Sequence, residues 1–471
     1  MEDEKPFKSG EESLGQSLGE RKSIKILELD KGGVLQRRWV HSSNDEIFKL
    51  PSSAHHSSPG RDSIRTWAES CRRFLLEAFL PVGFPRSVSE DYLAYQRYDS
   101  LQAFFSTISG MLADRALLEG LGVGDANSTA TYAVLLGVFK DITSRLCTIG
   151  FAQRFGLNIE PECKKYRFMA DFFNDTAFFL VLASPRVGGP TKAILLACAE
   201  GLRAMCGVAG SASKAALSSH FALQDNMAEL NAKEASQETA VGLIGLLFGT
   251  IVVKSIEDRT LVLCLMVALV LGHLYVNYLG VRCVILRTLN RQRATLVFDH
   301  WLRYGKVLTP AQISSQETIL SWVPLIRNSR GEERAMVHFA RDYSDFMEGG
   351  QGFTIFEQKH FKITTRYMPR PGLLRTKILL MVGAEPVDAI KAWFMAMEMV
   401  WNCKDCVIEG NFCVSDEMRE KLGRVSLFDD PNLFEELEKA GWDVATSAME
   451  TGNAVRVQIL QDDSYESKKD E

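Results

Sequence analysis

The residues of this chain best placed to do chemistry are polar ones set at helical spacing inside otherwise apolar stretches. In YDSLQAFFSTISG, Asp99 and Gln102 interrupt an apolar run. In KYRFMADFFNDTAF, Arg167, Asp171, Asn174 and Asp175 fall at i, i+4, i+7 and i+8. A helix places these on one face as a cation, two carboxylates and an amide. From Ser218 to Val253 a polar segment passes without proline into a Gly-spaced apolar one. Its Asn226, Lys233, Gln237 and Glu238 share a face beside Asp225, Glu229 and Glu234 on others. Finally, His273 and Asn277 lie one turn apart in an apolar run. Two chemistries fit the Arg167 face: an intrahelical ion pair with polar neighbours, or a ligand or cation site in a helical core. For His273 and Asn277 an interhelical hydrogen bond is the simpler reading, and a functional pair the sharper one. Lys233 pairs within its helix with Glu229 or Gln237; nothing nearby resembles a phosphate cup that would make it a Schiff-base lysine.

Helices must carry these faces. IRTWAESCRRFLLEAFL from Ser63 onward is amphipathic and ends at Pro81, and a second helix starts after Ser87 or Ser89 with Glu90 and Asp91 in its first turn. Gly120, Gly122, Gly124 and Asp125 follow a helix rather than a strand, so they read as a helix-to-helix turn and not as a dinucleotide loop. Two further helical patterns follow, and Pro185 closes the second. The small residues from Ala204 to Ala212 permit close helix crossing. Leu261–Val281 is a run of 21 residues without Asp, Glu, Lys or Arg. As a helix it spans roughly 30 Å, the thickness of a bilayer core. The run Val241–Val253 has only 13 residues, so it reads as a buried or re-entrant helix, with Leu261–Val281 as its antiparallel partner across KSIEDR. Arg282, Arg287, Arg291 and Arg293 form a basic flank that places that end on the cytoplasmic side.

Composition removes several function classes. The 54 Lys plus Arg against 59 Asp plus Glu give no general attraction to nucleic acid. The 10 cysteines are scattered and no secretory leader precedes them, which implies reduced, intracellular thiols. His55 and His56 sit in a Ser-rich linker with no third ligand nearby. Cys403, Cys406 and Cys413 supply three thiols and no histidine, short of the four ligands a structural zinc site needs. No P-loop and no defensible Ser-His-Asp order occurs, so the chain leans away from being an enzyme. No metal site is assigned, and no cofactor is identified.

The ends read differently. KSIKILEL and VLQRRWV flank Asp30–Gly33 as a short β-hairpin. Beyond Thr309 and Pro310 the composition changes, and the charged, Gly-ended stretch NSRGEERAMVHFARDYSDFMEGGQ reads as a linker with one helical turn or more. GFTIFEQ, FKITTRYM, TKILLMVG and NAVRVQIL then read as strands, with PVDAIKAWFMAMEMVWN and LFEELEKAGW as helices.

Several long segments together carry a family resemblance: FLPVGFPRSVSEDYLAYQRYDSLQAF, GVGD, KYRFMADFFNDTAF, GVAGSASKAALSSHFALQDNMAELNAKEASQET and HLYVNYLGVRCVILRTLNRQRA. In this order they resemble the root UVB sensitive family over roughly residues 63–315. Tyr98 stands where that family's pattern has Trp, and Lys214 where it has Arg. The latter departure bears on any two-point grip on an anion. The resemblance implies a membrane-associated protein, and its plant members are linked to seedling development, ultraviolet-B responses in roots and vitamin B6 homeostasis. It transfers no catalytic residues.

The expected fold is mainly α: a multi-helix membrane-associated bundle with a small C-terminal α+β domain. Residues 1–22 are expected to be disordered, 23–62 to form the hairpin and linker, and 63–315 the helical core. A linker at 316–349, an α+β domain at 350–462 and a tail at 463–471 complete the chain. Two functions fit. One is a protein of an intracellular membrane in which the polar faces bind or move a small polar metabolite. The other is a non-enzymatic interaction scaffold, soluble or peripheral, which the 24% charged composition and a mean hydropathy near zero allow. The expected partners are the membrane, a small polar metabolite, and a protein met through the C-terminal domain or a related family member. Nucleic acid is not among them.

Overall fold

The computed structural model describes residues 24–29, 35–41, 47–49, 62–120, 130–348, 354–368, 373–402, 407–408, 411–412, 431–452 and 455–459. Backbone contacts divide the chain into two units: Met1–Glu90 with Phe221–Gln237, and Asp91–His220 with Glu238–Glu471.

In the first unit, β1 (Ile24–Leu29) and β2 (Leu35–His41) form the expected antiparallel hairpin, with Ile26 opposite Trp39. A third strand, β3 (Ile47–Lys49), extends it along β2. The turn residues Asp30–Gly33 and the pair His55 and His56 lie outside the described residues. Helix α1 (Asp62–Phe79) ends two residues before Pro81. Residues 87–89 then run antiparallel to 221–223, where Ser89 N donates to Phe221 O at 3.1 Å and Leu223 N to Ser87 O at 3.2 Å. The same unit holds the first turns of α6 (Met227–Ser255).

The second unit contains α2 (Tyr92–Gly120), α3 (Ala130–Ile159), α4 (Cys163–Ala183), most of α5 (Gly189–Phe221) and the rest of α6, followed by α7 (Arg259–Cys283). Helices α2 and α7 run along each other over most of their length, and α4 packs on both. Leu112, Ala113, Ala177, Phe178, Met266 and Val270 form the apolar centre of that trio. Local chemistry sets the boundaries. Asp258 caps α7, accepting from Leu261 N at 2.9 Å. Gly120 closes α2, as the Gly-rich turn predicts, although residues 121–129 lie outside the described residues.

Among the described residues, three helices are long and apolar enough to cross a membrane: α5, α6 and α7. The stretch Val241–Val253 is not a separate short element. It is the second half of one 29-residue helix, α6, because no Gly or Pro breaks the polar-to-apolar transition. Only 11% of the apolar window of α6 is buried, which removes the buried-helix reading. Its expected pairing with α7 is also corrected. The long partner of α7 is α2, and α6 meets α2 as well, where Phe248 packs edge-on to Phe104 with centroids 5.7 Å apart. Gly245 permits the approach: a Cβ there would lie 2.9 Å from Thr107 Cβ.

After α7 come α8 (Arg291–Tyr304), capped by Asn290 and closed by left-handed Gly305, and α9 (Pro310–Gln316), opened by a Thr309–Gln312 capping box. The chain then builds a mixed sheet. Its strands are β4 (Leu325–Arg327), β5 (Glu333–Phe339), β6 (Thr354–Glu357), β7 (Phe361–Met368) and β8 (Leu373–Met381), in the order β4-β5-β8-β7-β6. The pairing of β5 with β8 is parallel, and β11 (Arg456–Val457) also runs parallel to β8. A short helix, α10 (Tyr343–Met347), follows β5. Helix α11 (Pro386–Asn402) covers one face of the sheet, with α12 (Pro431–Lys439) near the end of the chain. A separate two-stranded pairing joins β9 (Val407–Ile408) and β10 (Asn411–Phe412). Cys403, Cys406 and Cys413 lie outside the described residues.

The linker expected at 316–349 is instead structured, carrying β4, β5 and α10. Its alternating burial, with Ala335 and Val337 inside and Arg334, Met336 and His338 partly exposed, is the period of a strand half-covered by helix. One core unites α8, α9 and the sheet: Phe298 meets Phe394 edge-on at 4.9 Å, and Trp393 Nε1 donates to Thr295 Oγ1 at 3.0 Å. The boundary read at residue 315 therefore cuts through a packed core.

Candidate functional site

Buried polar groups on α2, α4 and α7 converge on one network. Arg167, on α4, is its hub. Its Nη2 donates to Asp99 Oδ1 at 2.8 Å, its Nη1 to Asp171 Oδ2 at 3.1 Å and its Nε to the Tyr95 hydroxyl at 3.2 Å. Asp171 Oδ2 also accepts from Asn277 Nδ2 at 2.7 Å and from Gln102 Nε2. One carboxylate oxygen thus joins three helices. One turn along, His273 Nδ1 lies 2.8 and 2.9 Å from the two oxygens of Asp175. With its proton on Nδ1 the ring donates to that carboxylate. Asn174 reaches Ser106 at 3.5 Å, the loosest contact of the group. Asp99, Gln102, Asp171, Asp175, His273 and Asn277 are all less than 9% exposed.

The spacing on α4 therefore produces both arrangements at once. Arg167 and Asp171 make the i, i+4 pair, and that pair is also the crossing point to α2 and α7. Glu238, from α6, belongs to the same surroundings: its carboxylate lies within 4.8 Å of that of Asp99 and accepts from Lys214 Nζ of α5 at 2.7 Å. Asp99 and Asp171 thus pair with Arg167, the partly exposed Glu238 with Lys214, and Asp175 with His273, so that four carboxylates are set against two permanent cations and one imidazole. An imbalance of this kind in a poorly hydrated place attracts a proton, a cation or a cationic group.

The third expected face takes other partners. Lys233 donates to the backbone oxygen of Glu77, and Gln237 Nε2 to that of Phe79 at 2.5 Å. These are last-turn carbonyls of α1, which have no partner within their own helix. Lys233 is thus not the intrahelical partner of Glu229, whose carboxylate accepts from Val82 N at 2.7 Å. Asn226 is 7% exposed, and neither polar atom of its side chain has a hydrogen-bond partner among the described residues.

A second buried cluster carries no sequence signal beyond isolated charges. Lys164 Nζ donates to Glu317 Oε2 at 2.6 Å and Arg293 Nη1 to Glu317 Oε1 at 2.8 Å, each side chain at most 5% exposed. Burial pushes the Glu317 carboxyl up, but Arg293 and Lys164 together outweigh it and hold the group below its ordinary range. The neighbouring Cys163 thiol is pushed by burial up to about 11. Arg291 pairs with Glu162 at 2.6 Å. Two of the four arginines read as a free basic flank are therefore engaged in ion pairs, which weakens the topological argument drawn from them.

A family model described as "Vitamin B6 photo-protection and homoeostasis domain" matches residues 65–305. The chain is 34% identical over 306 residues to the protein root UVB sensitive 3 of Arabidopsis thaliana, an alignment covering 64% of this chain and 69% of that protein. It is 40% identical over 250 residues to RUS family member 1 of Dictyostelium discoideum, covering 52% of this chain and 47% of that relative. Similarity to root UVB sensitive 2, chloroplastic, of Arabidopsis thaliana is 26% over 384 residues, covering 79% of this chain and 84% of that protein. No solved structure matches. Helical core, network residues and matched span coincide, and the chain belongs to the root UVB sensitive family.

Proposed function

We propose that this protein is embedded in an intracellular membrane through α5, α6 and α7, and that the α2–α4–α7 network binds or moves a small polar metabolite, within the vitamin B6 homeostasis for which its family domain is described. The observation that carries the metabolite reading is an excess of carboxylates over permanent cations: Asp99, Asp171 and Asp175, all buried, and the partly exposed Glu238, against Arg167 and the partly exposed Lys214. Ionisable groups among apolar helices are costly, and where they persist they mark ligand or ion paths. Membrane embedding has separate support: Leu243, Leu247 and Ile251 of α6 and Leu271 and Tyr275 of α7 are each at least 60% exposed, a surface that suits lipid. Protein partners of the C-terminal domain, or a related family member, belong to this reading as further proposals.

The test has two parts. Alkaline carbonate should leave the protein in the membrane pellet; its release would end the embedded reading. Proteoliposomes should bind or take up labelled pyridoxine in a manner abolished by Asp99→Asn. Identical signals from variant, wild type and empty liposomes would end the metabolite reading.

A second reading is favoured by one observation: Asp171 Oδ2 is already saturated by three donors. A network satisfied internally can serve only to clamp α2, α4 and α7 together in a non-enzymatic interaction scaffold, soluble or peripheral. On that reading Asp99→Asn lowers stability and leaves pyridoxine binding at background.

A further inference from the structure

A cavity of about 600 Å³ opens on the face of the C-terminal sheet opposite α11. Strand register decides its chemistry. Met336 pairs with Arg375 and His338 with Lys377. Alternation therefore sends these four to the cavity, while Ala335, Val337, Leu374 and Ile378 point into the core. One strand further, Arg366 stands directly opposite Arg375. Like charges in that position repel, and among the described residues neither arginine has an acidic partner.

The other walls add charge of the same sign. Arg154 of α3, Arg291 of α8 and Arg341 also line the cavity, so five cations, counting Arg375 and Lys377, face three carboxylates there; of these cations Arg291 is held by Glu162 and Arg341 by Asp345. Those three, Asp345, Glu348 and Glu450, are all engaged. Lys377 Nζ holds Asp345 at 3.0 Å and Glu348 at 2.9 Å, and Arg456 grips both oxygens of Glu450 at 2.9 Å. Arg154 lies over the Phe155 ring, 5.3 Å from its centroid, and among the described residues it pairs with no carboxylate. His338 reports the resulting field: burial, then Arg291 and Arg375, push its imidazole below the ordinary range.

We propose that this cavity binds a small metabolite bearing a phosphate monoester, with Arg375 and Arg154 as the groups that grip the dianion. Free guanidinium groups beside already neutralised acids supply the charge-assisted, two-point recognition that phosphate needs. The volume suits a ring-bearing molecule rather than a bare ion. A membrane surface is disfavoured because Lys377 is only 8% exposed at the floor of a concave site. The site is separate from the α2–α4–α7 network, and either can fail without the other.

The experiment is calorimetric titration of the full chain in detergent with adenosine monophosphate, inorganic phosphate and neutral adenosine, with flotation on phosphatidylserine vesicles alongside. Adenosine monophosphate should bind and adenosine should not, with affinity falling as salt rises. Arg375→Gln should weaken binding roughly tenfold or more, as expected for loss of a charge-assisted pair. Arg154→Gln should weaken it in the same direction, which guards against a local defect at Arg375. Inorganic phosphate binding as tightly as the nucleotide would still support the anion site and assign its source to free phosphate. Three results overturn the proposal: no binding of either phosphate compound, unchanged affinity in both variants, or Arg375-dependent binding to vesicles alone.

Discussion

Replacing Asp171 by Leu is the sharpest single perturbation of the helical core. The change removes the acceptor shared by Arg167, Gln102 and Asn277, and leaves the Arg167 guanidinium, 12% exposed, with Asp99 as its remaining carboxylate. Breaking a buried pair from one side costs about 3 to 5 kcal/mol, because the surviving charge stays desolvated. For a cooperative unit of this size, roughly 2 to 4 °C of melting temperature accompany each kcal/mol. The variant should therefore melt about 6 to 20 °C lower in the same detergent. Asp171→Asn keeps an acceptor oxygen and should fall between variant and wild type. The informative control is the double variant Asp171→Leu with Arg167→Met. Removing both partners should cost less than the sum of the single changes, since the Arg167–Asp171 pair is then lost only once, with Asp99 left as the carboxylate without its cation. A melting temperature for Asp171→Leu within about 2 °C of wild type would refute the reasoning. It would mean that relief of the carboxylate excess offsets the lost hydrogen bonds.

Three further outcomes follow from named contacts. Gly245→Val should destabilise the α6–α2 crossing by about 1 to 3 kcal/mol, and Thr107→Gly in the same chain should recover part of it in a melting assay, because Thr107 Cβ is the atom met. The Glu317 cluster should give an acid-sensitive contribution to stability. Its folded carboxyl is held low by Arg293 and Lys164, so the contribution is complete above the unfolded value of about 4.3 and is lost as pH falls through the folded value. Glu317→Gln should flatten the melting-temperature profile below about pH 4.5, and an unchanged slope there would count against it. Cys163, its thiol at about 11, should escape maleimide at pH 7.5 in the native protein and react once unfolded, as peptide mapping would show.

Much of the network was legible because helical periodicity is local. The spacing of Arg167, Asp171, Asn174 and Asp175 placed them on one face of α4, and the one-turn spacing of His273 and Asn277 did the same on α7. Their mutual contact was not legible. The period of a helix says which residues share a face and nothing about what that face meets. For the same reason the end of α1 was missed as the partner of Lys233: unsatisfied carbonyls carry no side-chain signature. The charged stretch 316–349 was misread because a strand covered on one side alternates polar with apolar residues, and over a few residues that resembles a linker.

The sequence by itself determined the main helices, their polar faces, the family and one segment, Leu261–Val281, long and apolar enough to cross a membrane, since each rests on local composition and spacing; that α5 and α6 are also long and apolar enough became visible only with their full helical extent. Tertiary structure alone decided that α2 is the long partner of α7, that one oxygen of Asp171 ties three helices together and that α8 shares a core with the C-terminal sheet. It also decided that Arg375 and Lys377 open onto one cavity with Arg154. These juxtapositions join residues far apart in the sequence, and such pairings are set by which buried surfaces fit together once the chain has folded.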